Sequence, residues 1–430
     1  YKLLLVYCFI HLEGMKESTR ILSFAGAIYV IPFLFLATTA GTLADRYSKR
    51  TIIIATRIVE VVALLLGWIA LSLHNTELSY LVLLLLACHS SLFAPSKYGI
   101  VPEIVAKQDI SKANGLLTLC TYTAVIIGTF LASFLTVCTH YDFRIAALFP
   151  LLFSSFALFI SRNIQKTPPS GSCKKVSPKL VQELLTNIRL IRKTPPLLAA
   201  VLGSAFFLFA GSFIQLNIIP FAMECLNLTE VQGGYMFLLT ALGIGIGSFL
   251  AGKISGKAIE FGLVPFGGFG LAISFFFLFY CSSNLFIVLP LFALMGLFGG
   301  FYLVPLDSYI QVASPPTSRG QIVATSNFFG FFGVFLSALL LYVSSNLLDL
   351  SPDKTFLLMG CIVLIAIFLL CISFAESIIR FYSFLLSSFV FPSVLRGVKQ
   401  IPIDQSSFFF VPHSFFPWWP ALLGCQRNTI

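Results

Sequence analysis

Hydrophobic residues arrive along this chain in blocks of about twenty, the length a helix needs to cross a hydrocarbon layer about 30 Å thick, and polar residues collect in the short stretches between them. The blocks predict helices over 21–44, 51–73, 78–96, 115–138, 143–161, 197–222, 231–252, 262–280, 284–308, 322–346 and 355–375, with a shorter one over 1–12. Inside lipid no water is present to bond backbone N–H and C=O groups, so such blocks close their hydrogen bonds internally as helices. The twelve segments fall into two sets of six, joined by a stretch from Arg162 to Pro196 rich in Pro, Ser and Lys. The middle of that stretch, Pro178 to Lys193, has apolar residues at helical spacing and predicts an amphipathic helix lying on the membrane surface.

Composition agrees with the pattern. At 58% hydrophobic, 10% charged and a mean hydropathy of +0.95 the chain cannot be a water-soluble globule. The net charge of +10 invites a nucleic-acid reading, but the bases alternate between loops and form no single patch. One set of loops carries Arg46, Lys49, Arg50, Lys97, Lys107, Lys112, Arg162, Lys166, Lys174, Lys175, Lys179, Arg189, Arg192, Lys193, Lys253, Lys257 and Arg319. The alternate loops carry Lys16, Arg20, Arg144 and Lys354. That asymmetry places the basic loops and both chain ends in the cytoplasm and excludes nucleic acid as a partner. The ten cysteines are scattered without a CxxC, and most sit inside apolar runs, where they act as small hydrophobes. Neither a metal nor a cofactor is called for.

Three stretches carry more specific information. Gly41-Thr-Leu-Ala-Asp45-Arg46-Tyr-Ser-Lys49-Arg50 links the second and third segments. Its Gly lets helices approach closely, Asp45 suits a helix N-terminus or a basic partner, and Arg46, Lys49 and Arg50 suit acids or anionic lipid. Phe93-Ala-Pro95-Ser-Lys97-Tyr98-Gly99-Ile-Val-Pro102-Glu103 follows the fourth segment, and Lys112-Ala113-Asn114-Gly115 opens the fifth. Gly299-Gly-Phe-Tyr-Leu-Val304-Pro305-Leu306 lies in the tenth, and Arg319-Gly320-Gln-Ile-Val-Ala324-Thr-Ser-Asn327-Phe328 opens the eleventh.

The first stretch resembles the loop motif of the major facilitator superfamily, whose two six-helix halves rock around a site near the bilayer midplane. The other two resemble the bacterial lysophospholipid transporters of that superfamily. The resemblance implies an all-α membrane fold, a twelve-helix bundle with an N-terminal half over 1–161, a basic cytoplasmic linker over 162–196 and a C-terminal half over 197–376. It implies a carrier moving lysophospholipids, chiefly lysophosphatidylethanolamine, by alternating access to the cytoplasmic leaflet of the bacterial inner membrane. Gly41, Asp45, Arg46, Lys49 and Arg50 then gate the conformational change. Tyr1 falls inside an apolar stretch, which is read as the second half of a first helix.

A lysophospholipid carrier needs a cation for the phosphate, an acceptor for the ammonium and an apolar slot for the acyl tail. Ionisable residues within spans are costly and therefore candidates. Arg57 and Glu60, three apart, share a helical face, and either contact a head group or neutralise one another. Lys97 sits at the cytoplasmic mouth, Asp307 just beyond Pro305, and Gln215, Asn217 and Asn327 are polar groups at plausible depth. His89 reads as a packing histidine, and Gly243, Gly247 and Ala251 as a small-residue packing stripe.

The tail over 377–430 resembles the opening of a 2-acylglycerophosphoethanolamine acyltransferase, through Arg396-Gly397-Val-Lys-Gln-Ile401-Pro402 and Phe408-Phe-Phe-Val411-Pro412-His413-Ser414. In some bacteria that enzyme is fused behind the transporter and re-acylates the lipid it delivers, which makes an acyltransferase or acyl-carrier system a candidate partner. The enzyme's H-x4-D box reads His413-Ser-Phe-Phe-Pro-Trp418. Indole is a donor only and cannot hold the histidine as a carboxylate does, so the tail is expected to be a truncated, non-catalytic remnant. Two alternatives stand beside the lipid carrier: a polar-solute carrier of the same fold, since one fold hosts many substrates, and a membrane-bound acyltransferase fragment, which measured acyl transfer would reveal.

Overall fold

The computed structural model describes residues 1–13, 18–73, 75–174, 176–177, 179–256, 258–375, 378–379 and 382. Among them the chain is helical, with no strand. The helices are α1 (Lys2–Glu13), α2 (Ser18–Phe35), α3 (Ala37–Arg46), α4 (Lys49–Ser72), α5 (Thr76–Gly99), α6 (Val101–Ile104), α7 (Ile110–Cys138), α8 (Phe143–Ser161), α9 (Leu180–Arg192), α10 (Pro195–Leu226), α11 (Glu230–Ser255), α12 (Leu263–Tyr280), α13 (Leu285–Ala313), α14 (Arg319–Tyr342) and α15 (Pro352–Ser373). Ten helices among the described residues are long and apolar enough to cross a membrane, or eleven when the bent α2–α3 pair is taken as one span. The acyltransferase-like stretches from Arg396 to Trp418 lie outside the described residues.

Local chemistry sets several ends. Asn75 caps α5 by accepting the Leu78 N–H at 2.9 Å, and Thr229 with Gln232 closes a capping box at the start of α11. The block expected as one helix over 21–44 bends by 50° between Phe35 and Ala37. Pro32 has no N–H to give the preceding turn. Its carbonyl, which accepts the Leu36 N–H at 2.8 Å, also accepts the Ser91 hydroxyl from α5 at 3.1 Å. The shared acceptor lies within one turn of the break, where a side chain entering the hydrogen-bond ladder bends a helix.

The chain divides into two compact units. The first comprises Tyr1–Lys107, Cys120–Asn217 and Tyr309–Leu348; the second comprises Gln108–Leu119, Ile218–Ser308 and Asp349–Ile430. In the first, α4 packs against α5 and α8, and α14 against α3 and α5. The linker helix α9 buries Leu184, Asn187 and Ile191 and packs against α3 and α14. The apolar face expected to rest on the membrane is therefore used within the protein.

The second unit is built on close approach of small residues. A methyl group at Gly243 or Gly247 of α11 would strike the backbone of Ala293 or Leu297 on α13, and one at Gly296 of α13 would strike the Thr240 carbonyl in return. The expected stripe is thus a two-sided helix–helix seam. Gly115, at the start of α7, meets the Ser248 carbonyl in the same manner, and neighbouring Asn114 donates to the Ser308 hydroxyl at 3.1 Å. Phe221, Phe292 and Phe356 form an edge-on aromatic cluster at the centre of this unit.

Candidate functional site

Two polar constellations stand out in the first unit, one within the apolar length of α4 and α5 and one at the basic end of the same helices. Arg57 follows Lys49, the first residue of α4, by eight positions, which places it about 12 Å along the helix at 1.5 Å per residue. Its Nη1 donates to Glu60 Oε2 at 2.6 Å. On α5, running the other way, His89, Phe93 and Lys97 follow one another four residues apart and so share a face. His89 Nε2 lies 3.6 Å from Glu60 Oε2. The Arg57 guanidinium sits 4.8 Å from the Phe93 ring centre, and the His89 ring stacks on Phe93 at 5.8 Å. Lys97 Nζ donates to Thr121 Oγ1 on α7 at 3.0 Å and feels the charge of Arg57.

The side chains are 27%, 20% and 7% exposed for Arg57, Glu60 and His89 respectively, so the two charged groups remain reachable while the imidazole is enclosed. Two basic side chains, one carboxylate and one imidazole give a surplus of basic groups among apolar helices. Such a group attracts an anion, and the guanidinium fork matches a phosphate's two free oxygens.

The structure thus brings together Arg57, Glu60 and Lys97 from the sequence analysis and adds His89, Phe93 and Thr121. The spacing of four along α5 was the available signal for His89 and Phe93; Thr121 had none. The remaining candidates are spread out. Gln215 is exposed on α10, Asn217 is buried on the same helix, Asn327 is half-buried on α14, and Asp307 is half-buried on α13 in the second unit.

The second constellation is the motif loop. Asp45 is fully buried at the end of α3, where its Oδ1 accepts the Gly320 N–H at 2.6 Å and its Oδ2 the Gln321 N–H at 2.9 Å. These are free N–H groups of the first turn of α14, and the positive end of that helix favours the carboxylate. Gly41, one turn earlier, is necessary for the approach: a Cβ there would lie 2.7 Å from the Gln321 Cα. Lys49, also fully buried, donates to Glu103 Oε1 at 2.5 Å and to the Ser170 hydroxyl at 2.8 Å, its stem passing a Gly99 that has no Cβ to obstruct it.

The linker joins this network. Arg50 donates to the Arg162 carbonyl at 2.8 Å, Ser48 meets Thr167 at 3.4 Å, and Lys174 donates to Gln321 Oε1 at 2.6 Å and pairs with Glu183. Asn187 donates to Thr325 Oγ1 at 3.1 Å. Arg46 is exposed and lies over the equally exposed Tyr47 ring at 5.6 Å. Sequence reasoning missed Glu103, Ser170, Lys174 and Gln321, because each meets its partner across a long stretch of chain.

Residues 13–338 match the family profile described as Major Facilitator Superfamily. The lysophospholipid transporter LplT of Cronobacter sakazakii is 24% identical over 311 residues, covering 70% of this chain and 74% of that protein. The protein of the same name from Serratia proteamaculans is 23% identical over 305 residues, covering 70% and 73%. Among solved structures, the human organic anion transporter MFSD10 (TETRAN) superposes with a TM-score of 0.72 at 16% identity, covering 85% of this chain and 88% of that one. The transporter FucP in its outward conformation gives 0.68 at 11% identity, covering 86% and 97%.

Proposed function

Because the chain belongs to the major facilitator superfamily and is a membrane transporter, we propose that its cargo is a lysophospholipid whose phosphate is held between Arg57 and Lys97. The lipid, lysophosphatidylethanolamine foremost, is carried to the cytoplasmic leaflet of a bacterial inner membrane, where an acyltransferase or acyl-carrier system restores the second chain. Residues 1–161 and 197–376 act as the two halves, with both chain ends in the cytoplasm.

The observation that carries this reading is the charge surplus of the Arg57–Glu60–Lys97 cluster within apolar helices. A neutral sugar-like solute gains nothing from two cations, whereas a phosphodiester gains two charge-assisted hydrogen bonds. Glu60 can accept from the head-group ammonium, and the acyl chain needs only the apolar surface that the spans already offer. The relatives named lysophospholipid transporter support the same cargo. Asp45, with Gly41 beside it, serves as the gate: the cap on α14 must be released before that helix can part from α3, and Lys49, Arg50 and Arg46 steady the same end.

The test is movement of labelled lysophosphatidylethanolamine between leaflets of vesicles carrying the purified protein. Loss of a hydrogen bond to a charged group is worth about 1.5–3 kcal/mol, so Arg57→Ala and Lys97→Ala should each slow movement by about tenfold or more. A protein that leaves lysophospholipid in place while carrying an uncharged polar solute would sink the proposal.

A further inference from the structure

We propose that Glu60 and His89 together form a proton-binding site, and that a phosphate-bearing head group lacking an ammonium is carried with one proton. The inference rests on the lysophospholipid reading above and adds what accompanies the lipid.

The imidazole of His89 is engaged by the backbone of Leu86, while its Nε2 is buried with no hydrogen-bond partner and lies 3.6 Å from Glu60 Oε2. A carboxylate is an acceptor only, and a neutral imidazole protonated on its other nitrogen offers a lone pair at Nε2. Two acceptors therefore face each other in an enclosed place, and a single proton joins them into a charge-assisted hydrogen bond. Without substrate that proton is unnecessary, because Arg57 neutralises Glu60 at 2.6 Å.

Phosphate changes the balance. Arg57 holds Glu60 through a single nitrogen and lies close enough to Lys97 for their charges to repel. A phosphodiester relieves that repulsion by drawing Arg57 toward Lys97 and away from Glu60. A partly buried carboxylate left without its cation is destabilised. Two species can replace the guanidinium: a proton from water, shared with His89, or an ammonium on the head group itself. An ethanolamine head brings its own cation and a glycerol head does not.

Several other titratable groups on the surrounding helices are engaged elsewhere. Arg57 and Glu60 are the charged groups acting on His89, and Arg57 and Cys120 those acting on Lys97. On α2, Tyr29 is hydrogen-bonded to Ser90 and lies under Lys2 of α1. On α8, Arg144 is in the first turn against Asp142. Asp45 of α3 caps the first turn of α14, which holds Arg319, and Glu103 of α6 pairs with Lys49.

The experiment uses the full chain and two probes, lysophosphatidylglycerol and lysophosphatidylethanolamine, whose phosphodiesters stay ionised throughout. Linkage makes the effect reciprocal: if binding takes up a proton, affinity falls as pH rises. For the glycerol lipid we expect apparent affinity to fall by about tenfold between roughly pH 6 and pH 8, the range in which a histidine changes charge, with less than about a twofold change for the ethanolamine lipid. Wild-type protein in weakly buffered detergent should take up about half a proton, averaged between roughly pH 6 and pH 8, on binding the glycerol lipid and far less on binding the ethanolamine lipid. Glu60→Gln and His89→Gln should each flatten the glycerol-lipid pH dependence.

Binding of both lipids with no proton uptake and no pH dependence, or with equal uptake for both, overturns this inference and leaves the lysophospholipid reading intact. Failure to bind either lipid at any pH overturns both. The wild-type proton-uptake measurement decides the matter even if neither variant folds.

Discussion

Asp45 and Gly320, separated by 275 positions in the chain, are joined by a 2.6 Å hydrogen bond from the Gly320 N–H to a carboxylate that is wholly buried. Each residue also shapes the space of the other, since a Cβ on Gly320 would lie 2.7 Å from the Asp45 Oδ1. The motif loop thus acts as a cap borrowed by a distant helix.

Replacing Asp45 by Asn removes the charge and turns a donor toward one of the two N–H groups. The junction of α3 with α14 should weaken by about 2 kcal/mol, the scale of a charged hydrogen bond. A cysteine introduced at buried Thr42 reports on the opening. In the Asp45→Asn background it should react with a water-soluble maleimide more than about tenfold faster, because 1.4 kcal/mol corresponds to a factor of ten. Equal reactivity in the two backgrounds would deny Asp45 the gating role.

Gly41→Ala and Gly26→Ala form a matched pair. The first places a methyl 2.7 Å from the Gln321 Cα, whereas the second meets nothing within 4 Å. Overpacking at the first should lower stability by about 1–3 kcal/mol. The second replaces a glycine inside a helix and should be neutral or stabilising by up to about 1 kcal/mol. Thermal unfolding in detergent ranks the two, and the reverse order would contradict the close approach of α3 and α14.

The Lys49–Glu103 pair is suited to a double-mutant cycle. Lys49→Ala leaves Glu103, 17% exposed, without its cation, and removing one partner of a buried pair typically lowers stability by about 3–5 kcal/mol. The double variant Lys49→Ala with Glu103→Ala should be less destabilised than the sum of the single changes. Strict additivity would mean that the 2.5 Å contact contributes no coupling.

Arg57→Lys keeps the charge but loses the planar group above Phe93, 4.8 Å from its ring centre, and the fork offered to a phosphate. For a partly exposed guanidinium a cation–π contact contributes about 1 kcal/mol, so apparent affinity for lysophosphatidylethanolamine should weaken by about fivefold. Lysine performing as well as arginine would show that charge alone, and not the fork, matters there.

Much of the scaffold was legible from the chain, because each span satisfies its own backbone and its length is fixed by the hydrocarbon layer. The expected segments over 51–73 and 143–161 correspond to α4 (Lys49–Ser72) and α8 (Phe143–Ser161) with ends shifted by at most two residues. The break after Phe35 was not legible, because the Ser91 hydroxyl that reaches the Pro32 carbonyl comes from another helix. The sequence reads His89 as a packing residue, and it is buried and stacked on Phe93; that its Nε2 faces Glu60 depends on the neighbouring helix, which nothing local reveals.

The order of hydrophobic residues determined by itself that the chain is built of membrane-spanning helices and that Arg57 and Glu60 share a face, since those facts depend on helical period and on the solvent. Only the tertiary structure decided that Asp45 caps α14, that Lys49 is buried against Glu103, and that Lys97, Phe93 and His89 gather around Arg57. Those partners come from different helices, and which faces of two helices meet is fixed by where small residues let backbones approach, a property of pairs that no single segment carries.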